Sequence, residues 1–296
     1  MQKGRRYETV SFISDFGVVD EFVGVVHSVI NSISPHARII DITHGVPPYD
    51  IRSGGLALAR SAQYLSPGVV LAVVDPGIGT DRRAVAVEVG NGESVLVGPD
   101  NGLLAPAVAL VGGASRAVSL TEKSYQLEAP GPLFAGRDVF APAAAHLASG
   151  VDIMELGDVI ETESLIPGMI PIMTNEDGGI NAEVLWVDRY GNAQINLGPD
   201  ELAKIDAQEG WYQIKTVNQS RAARKVTVFA ELPPGGLVLT IDSYGLITLV
   251  VGRGSAAEEL NLNPGDQLFI SKGETPNSSS SPVTLGKPTN PLSGDN

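Results

Sequence analysis

The segment Val69-Val70-Leu71-Ala72-Val73-Val74-Asp75-Pro76-Gly77-Ile78-Gly79-Thr80-Asp81-Arg82-Arg83 opens with six apolar residues and empties into a glycine-rich turn bracketed by Asp75 and Arg82. An unbroken apolar run of this length is typical of a strand buried on both faces, as in a parallel sheet covered by helices. Gly77 and Gly79 allow positive φ and a close approach of the backbone to a ligand. On spacing alone two readings stand side by side: Asp75 caps its own turn, or it is a ligand-facing carboxylate at the carboxyl end of a strand.

The flanking sequence repeats the same pattern. Val10 to Ile13 reads as a strand ending at Ser14-Asp15-Phe16-Gly17, followed by a helix over Glu21 to Ser32 with Phe22, Val25, Val26 and Val29 inward. Ala37 to Ile42 reads as a strand, Ile51 to Tyr64 as a helix, Ala84 to Val89 and Ser94 to Val97 as strands, and Val139 to Ala148 as a helix. Strands alternating with amphipathic stretches predict βα units on a mostly parallel sheet. Polar residues close each early strand (Asp15, Asp41 to His44, Asp75), where ligands bind in open α/β sheets.

From about residue 168 the texture changes to short runs separated by Gly, Pro, Asn and Asp: 182–187, 211–217, 226–230, 237–241 and 246–251. Closely spaced strands joined by turns predict a small antiparallel sandwich or barrel. The expected division is an α/β domain over 1–166, a smaller antiparallel β-barrel domain over 167–273, and a disordered tail over 274–296. That tail has five Ser, four Pro and no aromatic residue and cannot bury enough apolar surface to offset its ordering.

Composition narrows the function. The 296 residues contain no cysteine, which removes disulfides and Cys₄ or Cys₂His₂ zinc sites, and the four histidines include no pair spaced for one helix face. His27 and His146 fall within expected helices and read as packing or surface residues. The net charge of −14 argues against polyanionic partners, nucleic acid and anionic membrane alike, because these require a basic footprint. No phosphate-loop lysine motif, nucleophile elbow or H-E-x-x-H occurs. With no apolar stretch long enough to span a bilayer, the expectation is a cytoplasmic protein acting on a small molecule without a cofactor or metal.

Seven segments then share one resemblance: 12–17 (FISDFG), 40–44 (IDITH), 75–80 (DPGIGT), 98–104 (GPDNGLL), 136–142 (GRDVFAP), 187–192 (VDRYGN) and 242–245 (DSYG). Together, and in this order, they resemble the S-adenosyl-L-methionine (SAM) hydrolases, or SAM hydroxide adenosyltransferases, which are related to fluorinase and chlorinase. The resemblance implies an N-terminal α/β domain, a C-terminal β-barrel, and a trimer with sites between subunits.

It also implies the site. Asp15 would hold the ribose hydroxyls, with Tyr49 and Phe134 against the nucleoside. Asp188 and Ser243 would hold the methionine ammonium and carboxylate, and Tyr190, Asn192 and Phe229 would surround the adenine. The implied reaction is attack of water or hydroxide on C5′ of SAM, giving adenosine and L-methionine. In the family an Asp, Arg and His triad activates that water. Here Asp75 and Arg82 match the first two, but Ala135 stands where the family pattern has histidine, in Phe134-Ala135-Gly136-Arg137-Asp138. Replacement by another group such as His44, slower turnover by Asp75 and Arg82 alone, and SAM or adenosine binding with weak or lost catalysis are the alternatives. Halogenation fits less well, since a carboxylate at Asp75, where the halogenating relatives have tyrosine, repels a halide.

Overall fold

The computed structural model describes residues 4–205, 210–228 and 234–274. The expected tail therefore lies outside the described residues beyond Glu274, and so does Phe229.

The first sheet is built from β1 (Thr9–Ser14), β2 (Arg38–Thr43), β3 (Val69–Val73), β4 (Ala84–Val89), β5 (Ser94–Pro99), β6 (Ala114–Ser119) and β7 (Asp158–Val159), in the order β2-β1-β3-β5-β4-β6-β7. The β2, β1, β3 and β5 strands are mutually parallel, and β4, β6 and β7 continue the sheet antiparallel. All residues of β1 and β3 are buried; β3 is apolar throughout, whereas β1 buries Thr9, Ser11 and Ser14 among its apolar residues.

Alternation along β3 sends side chains into two separate cores. Val69, Leu71 and Val73 join Phe12, Val26, Ile30 and Leu147 under α1 (Phe22–Ile33) and the alanine-rich helix Ala141–Ala148. Val70 and Ala72 join Ile13, Leu58, Leu103 and Ala107 under α2 (Ile51–Ala62) and α3 (Ala105–Leu110), so Ala141–Ala148 is α4. The expected Val139–Ala148 helix begins earlier, as a π-helical turn over Gly136–Phe140 that runs directly into α4.

The second sheet is a closed ring. Its strands β9 (Gly179–Val187), β10 (Ala193–Ile195), β11 (Trp211–Lys215), β12 (Ser220–Lys225), β13 (Leu237–Ile241), β14 (Ile247–Val251) and β15 (Gln267–Lys272) close through a β9–β10 pairing, with β8 (Thr174–Glu176) added outside on β9. The sequence reading sets a strand at Val226 to Ala230, of which Phe229 and Ala230 lie outside the described residues; residues 226–228 form no strand, and β12 is built from the polar Ser220–Lys225, paired with β11 and β13. Only Ala223 of that strand is buried, so a single small side chain satisfies the core and the period-2 signal is weak. The barrel is antiparallel except where β12 and β13 run parallel.

The α2 helix ties the two halves together. Arg52 pairs with Glu183 of β9, and the Arg60 guanidinium lies 4.4 Å from the Trp186 ring centroid. Tyr64, just past α2, meets Tyr244 edge-on.

One close backbone approach sets the spacing of the parallel strands. A Cβ on Gly98 of β5 would lie 2.3 Å from the Ala72 carbonyl oxygen. Because that atom belongs to β3's backbone, Gly98→Ala is expected to destabilise the protein by about 1–3 kcal/mol, read as a lowered denaturation midpoint in urea. An unchanged midpoint would show that β3 and β5 can separate without loss.

Candidate active site

Three chain turns meet at the carboxyl ends of β1, β2 and β3. Asp15 follows β1, and its backbone N–H donates to the Val73 carbonyl at 3.3 Å, which brings the 15–17 turn beside the end of β3. Tyr49 carries φ of 68° and is three-quarters exposed. Its N–H donates to Asp15 Oδ2 at 2.9 Å, so a left-handed residue is held by the carboxylate it flanks. The next residue, Asp50, caps α2 by accepting from Ser53 N–H.

Asp75 and Arg82 come together as the glycine turn folds back. Arg82 Nη2 donates to Asp75 Oδ2 at 2.6 Å, and both side chains are largely buried. The turn is drawn tight by Thr80, whose hydroxyl donates to the Gly77 carbonyl at 2.7 Å, and by Gly79 at φ of 82°. The Arg82 guanidinium rests over the Phe140 ring at 5.4 Å, and its Nη1 donates to the Arg83 carbonyl. Asp75 Oδ1 and Arg82 Nε are buried yet have no hydrogen-bond partner. The turn faces a cleft of about 450 Å³ lined by Ile51, Pro76, Gly77, Arg82 and Asn101.

Burial pushes the Asp75 carboxyl above the ordinary aspartate value; the Arg82 charge and hydrogen bond and, more weakly, the Gly77 backbone N–H pull against that shift, and the Asp15 charge adds to it. The net displacement is upward. The pair thus holds a carboxylate whose basicity is higher than that of a solvated aspartate, with one oxygen committed and one free.

The other motif segments hold the scaffold. Arg83 grips Asp100 Oδ2 through Nε and Nη2 at 2.9 and 2.6 Å, Asp100 Oδ1 accepts from Ile166 N–H, and Asn101 Nδ2 donates to the Val74 carbonyl just before Asp75. Arg137 pairs with its neighbour Asp138 and stacks on Phe134 at 5.3 Å. Phe134 also meets Phe16 and Phe22 edge-on. Ala135 caps the π turn and packs against the core, and a Cβ on Gly136 would be 2.9 Å from Phe16. This aromatic wall was not anticipated beyond Phe134, because Phe16 and Phe22 lie far from it in sequence.

The barrel residues stand apart. Asp188 organises the β9–β10 turn: Oδ1 accepts from the N–H groups of Tyr190 and Asn192, and Oδ2 from Asn192 Nδ2 at 2.8 Å. Tyr190 is exposed rather than packed in a core. Ser243 sits on an exposed turn held by Asp242, which accepts from Tyr244 N–H. Among the described residues, no hydrogen bond, ion pair or ring contact links Asp188, Tyr190, Asn192 or Ser243 to Asp15, Tyr49, Asp75, Arg82 or Phe134.

His44 is also occupied elsewhere. Its Nδ1 lies 2.8 Å from Ser14 Oγ, and its Nε2 lies 3.1 Å from Asp41 Oδ1 without hydrogen-bonding to it. Spacing along one helix gave no hint that the fold would bring His27 to the same carboxylate, since His27 arrives from α1 and His44 from the end of β2.

A buried ion pair at the carboxyl edge of a largely parallel sheet, in a chain that adds a closed β-barrel, describes a two-part α/β architecture. Comparison with known proteins makes the family specific. Residues 10–157 match the SAM hydroxide adenosyltransferase N-terminal domain, and 182–269 match the corresponding C-terminal domain. The chain is 42% identical over 264 residues to an (R)-S-adenosyl-L-methionine hydrolase from Salinispora arenicola, covering 89% of this chain and 98% of that one. It is 38% identical to a protein of the same name from Thermus thermophilus, covering 86% and 96%. The crystal structure of an uncharacterized conserved protein from Thermotoga maritima superposes with a TM-score of 0.82 at 31% identity, covering 89% of this chain and all of that one. The chain belongs to the SAM hydroxide adenosyltransferase family.

The geometry makes a signed prediction for Asp75. Arg82→Gln removes the two largest influences that lower its pKa, the Arg82 charge and hydrogen bond, and leaves burial, the weaker pull of the Gly77 backbone and the Asp15 charge, so the Asp75 carboxyl should titrate at still higher pH. Carbon-13 NMR of the labelled carboxyl would read this directly, and a downward shift would mean that Arg82 is not what keeps Asp75 ionised.

Proposed function

We propose that the protein hydrolyses SAM, in the (R)-sulfonium form named for its relatives, to adenosine and L-methionine. The observation that carries this reading is the free, buried Oδ1 of Asp75, held beside Arg82 with its other oxygen already paired. It is an acceptor with a raised affinity for a proton and a fixed aim.

Such a group suits the chemistry. The thioether leaves a sulfonium as a neutral molecule, so no acid is needed on that side, and the difficulty lies in the nucleophile, bulk water having a pKa of about 15.7. Asp75 Oδ1 accepts a hydrogen bond from the attacking water and takes its proton as the C5′–O bond forms. The C5′–S electron pair goes to sulfur, and the proton is then released to solvent. The Arg82 guanidinium stabilises hydroxide character on the water and keeps Asp75 ionised. Holding the oxygen in line, about 3–3.5 Å from C5′, supplies the entropic part of catalysis.

Asp15 binds the ribose diol, with Oδ1 free once Tyr49 N–H has taken Oδ2, while Tyr49 and Phe134 flank the nucleoside. In this reading Asp188 and Ser243 bind the amino-acid end, and Tyr190, Asn192 and Phe229 the adenine. Their separation from Asp75 within one chain supports a homotrimer in which the barrel of one subunit completes the site of the next. The proposal takes 1–166 and 167–273 as the two domains and a cytoplasmic setting; no helix among the described residues is long and apolar enough to cross a membrane. Catalysis uses no metal or cofactor at this site.

The methyl group of Ala135 favours one second reading, a SAM- or adenosine-binding protein of low turnover. Incubating the protein with SAM and following adenosine by chromatography separates the two; saturable binding with no adenosine above the SAM-alone control would overturn the enzyme reading. Asp75→Ala should abolish turnover and keep SAM affinity within about tenfold, roughly 1.4 kcal/mol. Ala135→His, restoring a third proton-handling group, should raise kcat by as much as about 10²-fold, and no gain would show that the family's histidine role is filled differently here. Light scattering should give a trimer mass.

A further inference from the structure

We propose that His27, Asp41 and His44 form a binding site for one divalent transition-metal ion of the zinc class, remote in its chemistry from the Asp75–Arg82 pair. One donor atom from each residue, His27 Nε2, Asp41 Oδ1 and His44 Nε2, lies within 4.8 Å of the other two. Asp41 Oδ1 is 2.9 Å from His27 Nε2 and 3.1 Å from His44 Nε2. Donors bound to one tetrahedral zinc at about 2.0–2.1 Å stand about 3.3 Å apart, so the two Asp41 contacts need open by only a few tenths of an ångström to admit the ion.

The state of His44 points to a ligand. Its side chain is 5% exposed, and Nε2 is buried without a hydrogen-bond partner although Asp41 Oδ1 is close. The ring nitrogen therefore does not aim at the oxygen; it aims beside it, as donors do when their lone pairs converge on a third centre. The other nitrogen, Nδ1, is held 2.8 Å from Ser14 Oγ, the kind of outer hydrogen bond that orients a metal-ligating imidazole.

The surroundings suit an ion with open coordination positions. Phe12 forms an apolar floor, its ring centroid 4.6 Å from that of His44 and 6.1 Å from that of His27. Asp41 and His27 are 43% and 30% exposed and leave an entry path from solvent. Two imidazoles and one carboxylate are a borderline donor set that takes Zn²⁺, Co²⁺ or Ni²⁺ in preference to Mg²⁺ or Ca²⁺. Bound there, the ion would join α1 to the end of β2, whose His44 carbonyl accepts from Gly17 N–H in the turn carrying Asp15. It would stiffen the base of that turn.

The test uses the full chain, stripped with chelator and dialysed against Zn²⁺ and, separately, Co²⁺. The expected result is one equivalent bound, a visible d–d spectrum of low-coordinate Co²⁺, and a melting temperature raised by Zn²⁺. His27→Ala and Asp41→Asn should each lower the affinity at least tenfold and remove the thermal shift, while His36→Ala should change neither. His27→Ala is the decisive variant because that side chain is partly exposed on α1 and its removal leaves the buried His44 in place. Less than half an equivalent bound by the parent chain, or the same affinity in His27→Ala, would overturn the site.

Discussion

A carboxylate withdrawn from water must be compensated nearby, and the structure around residues 69–104 is arranged to meet that requirement at Asp75. Removing one member of a buried pair costs about 3–5 kcal/mol because the survivor is left uncompensated. Arg82 supplies the opposite charge, Phe140 supplies a face for the guanidinium, and Asn101 fastens the strand end immediately before the carboxylate. The compensation is deliberately incomplete on one side, since Oδ1 and Nε keep unmet hydrogen-bonding capacity. A purely structural ion pair gains from satisfying every such atom; this one leaves two of them unsatisfied.

Strand register determines what stands beside Asp75. Because β1 and β3 pair in parallel with Ser14 opposite Val73, their next polar residues emerge side by side, and the charge of Asp15 is felt at Asp75. Two carboxylates at neighbouring strand ends make an environment that favours a cation such as a sulfonium. The positive φ of Tyr49 is retained in the same place, where a hydrogen bond to Asp15 offsets the strain.

Much of this was readable from the residues alone. The buried strand Val69–Val73 follows from an unbroken apolar run, and β1, β2, α2 and the strand-end placement of Asp15 and Asp75 from shorter apolar stretches stopped by Asp and Gly. The Asp75–Arg82 contact was expected only on condition that the turn fold back, and Gly79 with Thr80 provides that fold. Harder to read were β6 and β12, whose sequences Ala-Ser-Arg-Ala-Val-Ser and Ser-Arg-Ala-Ala-Arg-Lys carry little apolar signal because each buries only one or two residues. The internal commitment of Asp188 to its own turn, and the meeting of His27 with Asp41 and His44, depend on contacts between elements that no local pattern encodes.

The number of strands in the barrel has a consequence of parity. A closed ring in which every neighbour runs opposite to the next needs an even count, and seven strands close it here, so one like-directed pair is unavoidable; it falls between β12 and β13. A hairpin cannot join two such strands, and the chain from Lys225 must return to the end of the barrel where it started before Leu237 can begin. An odd strand count thereby requires, in an otherwise tightly turned domain, one connection longer than a hairpin.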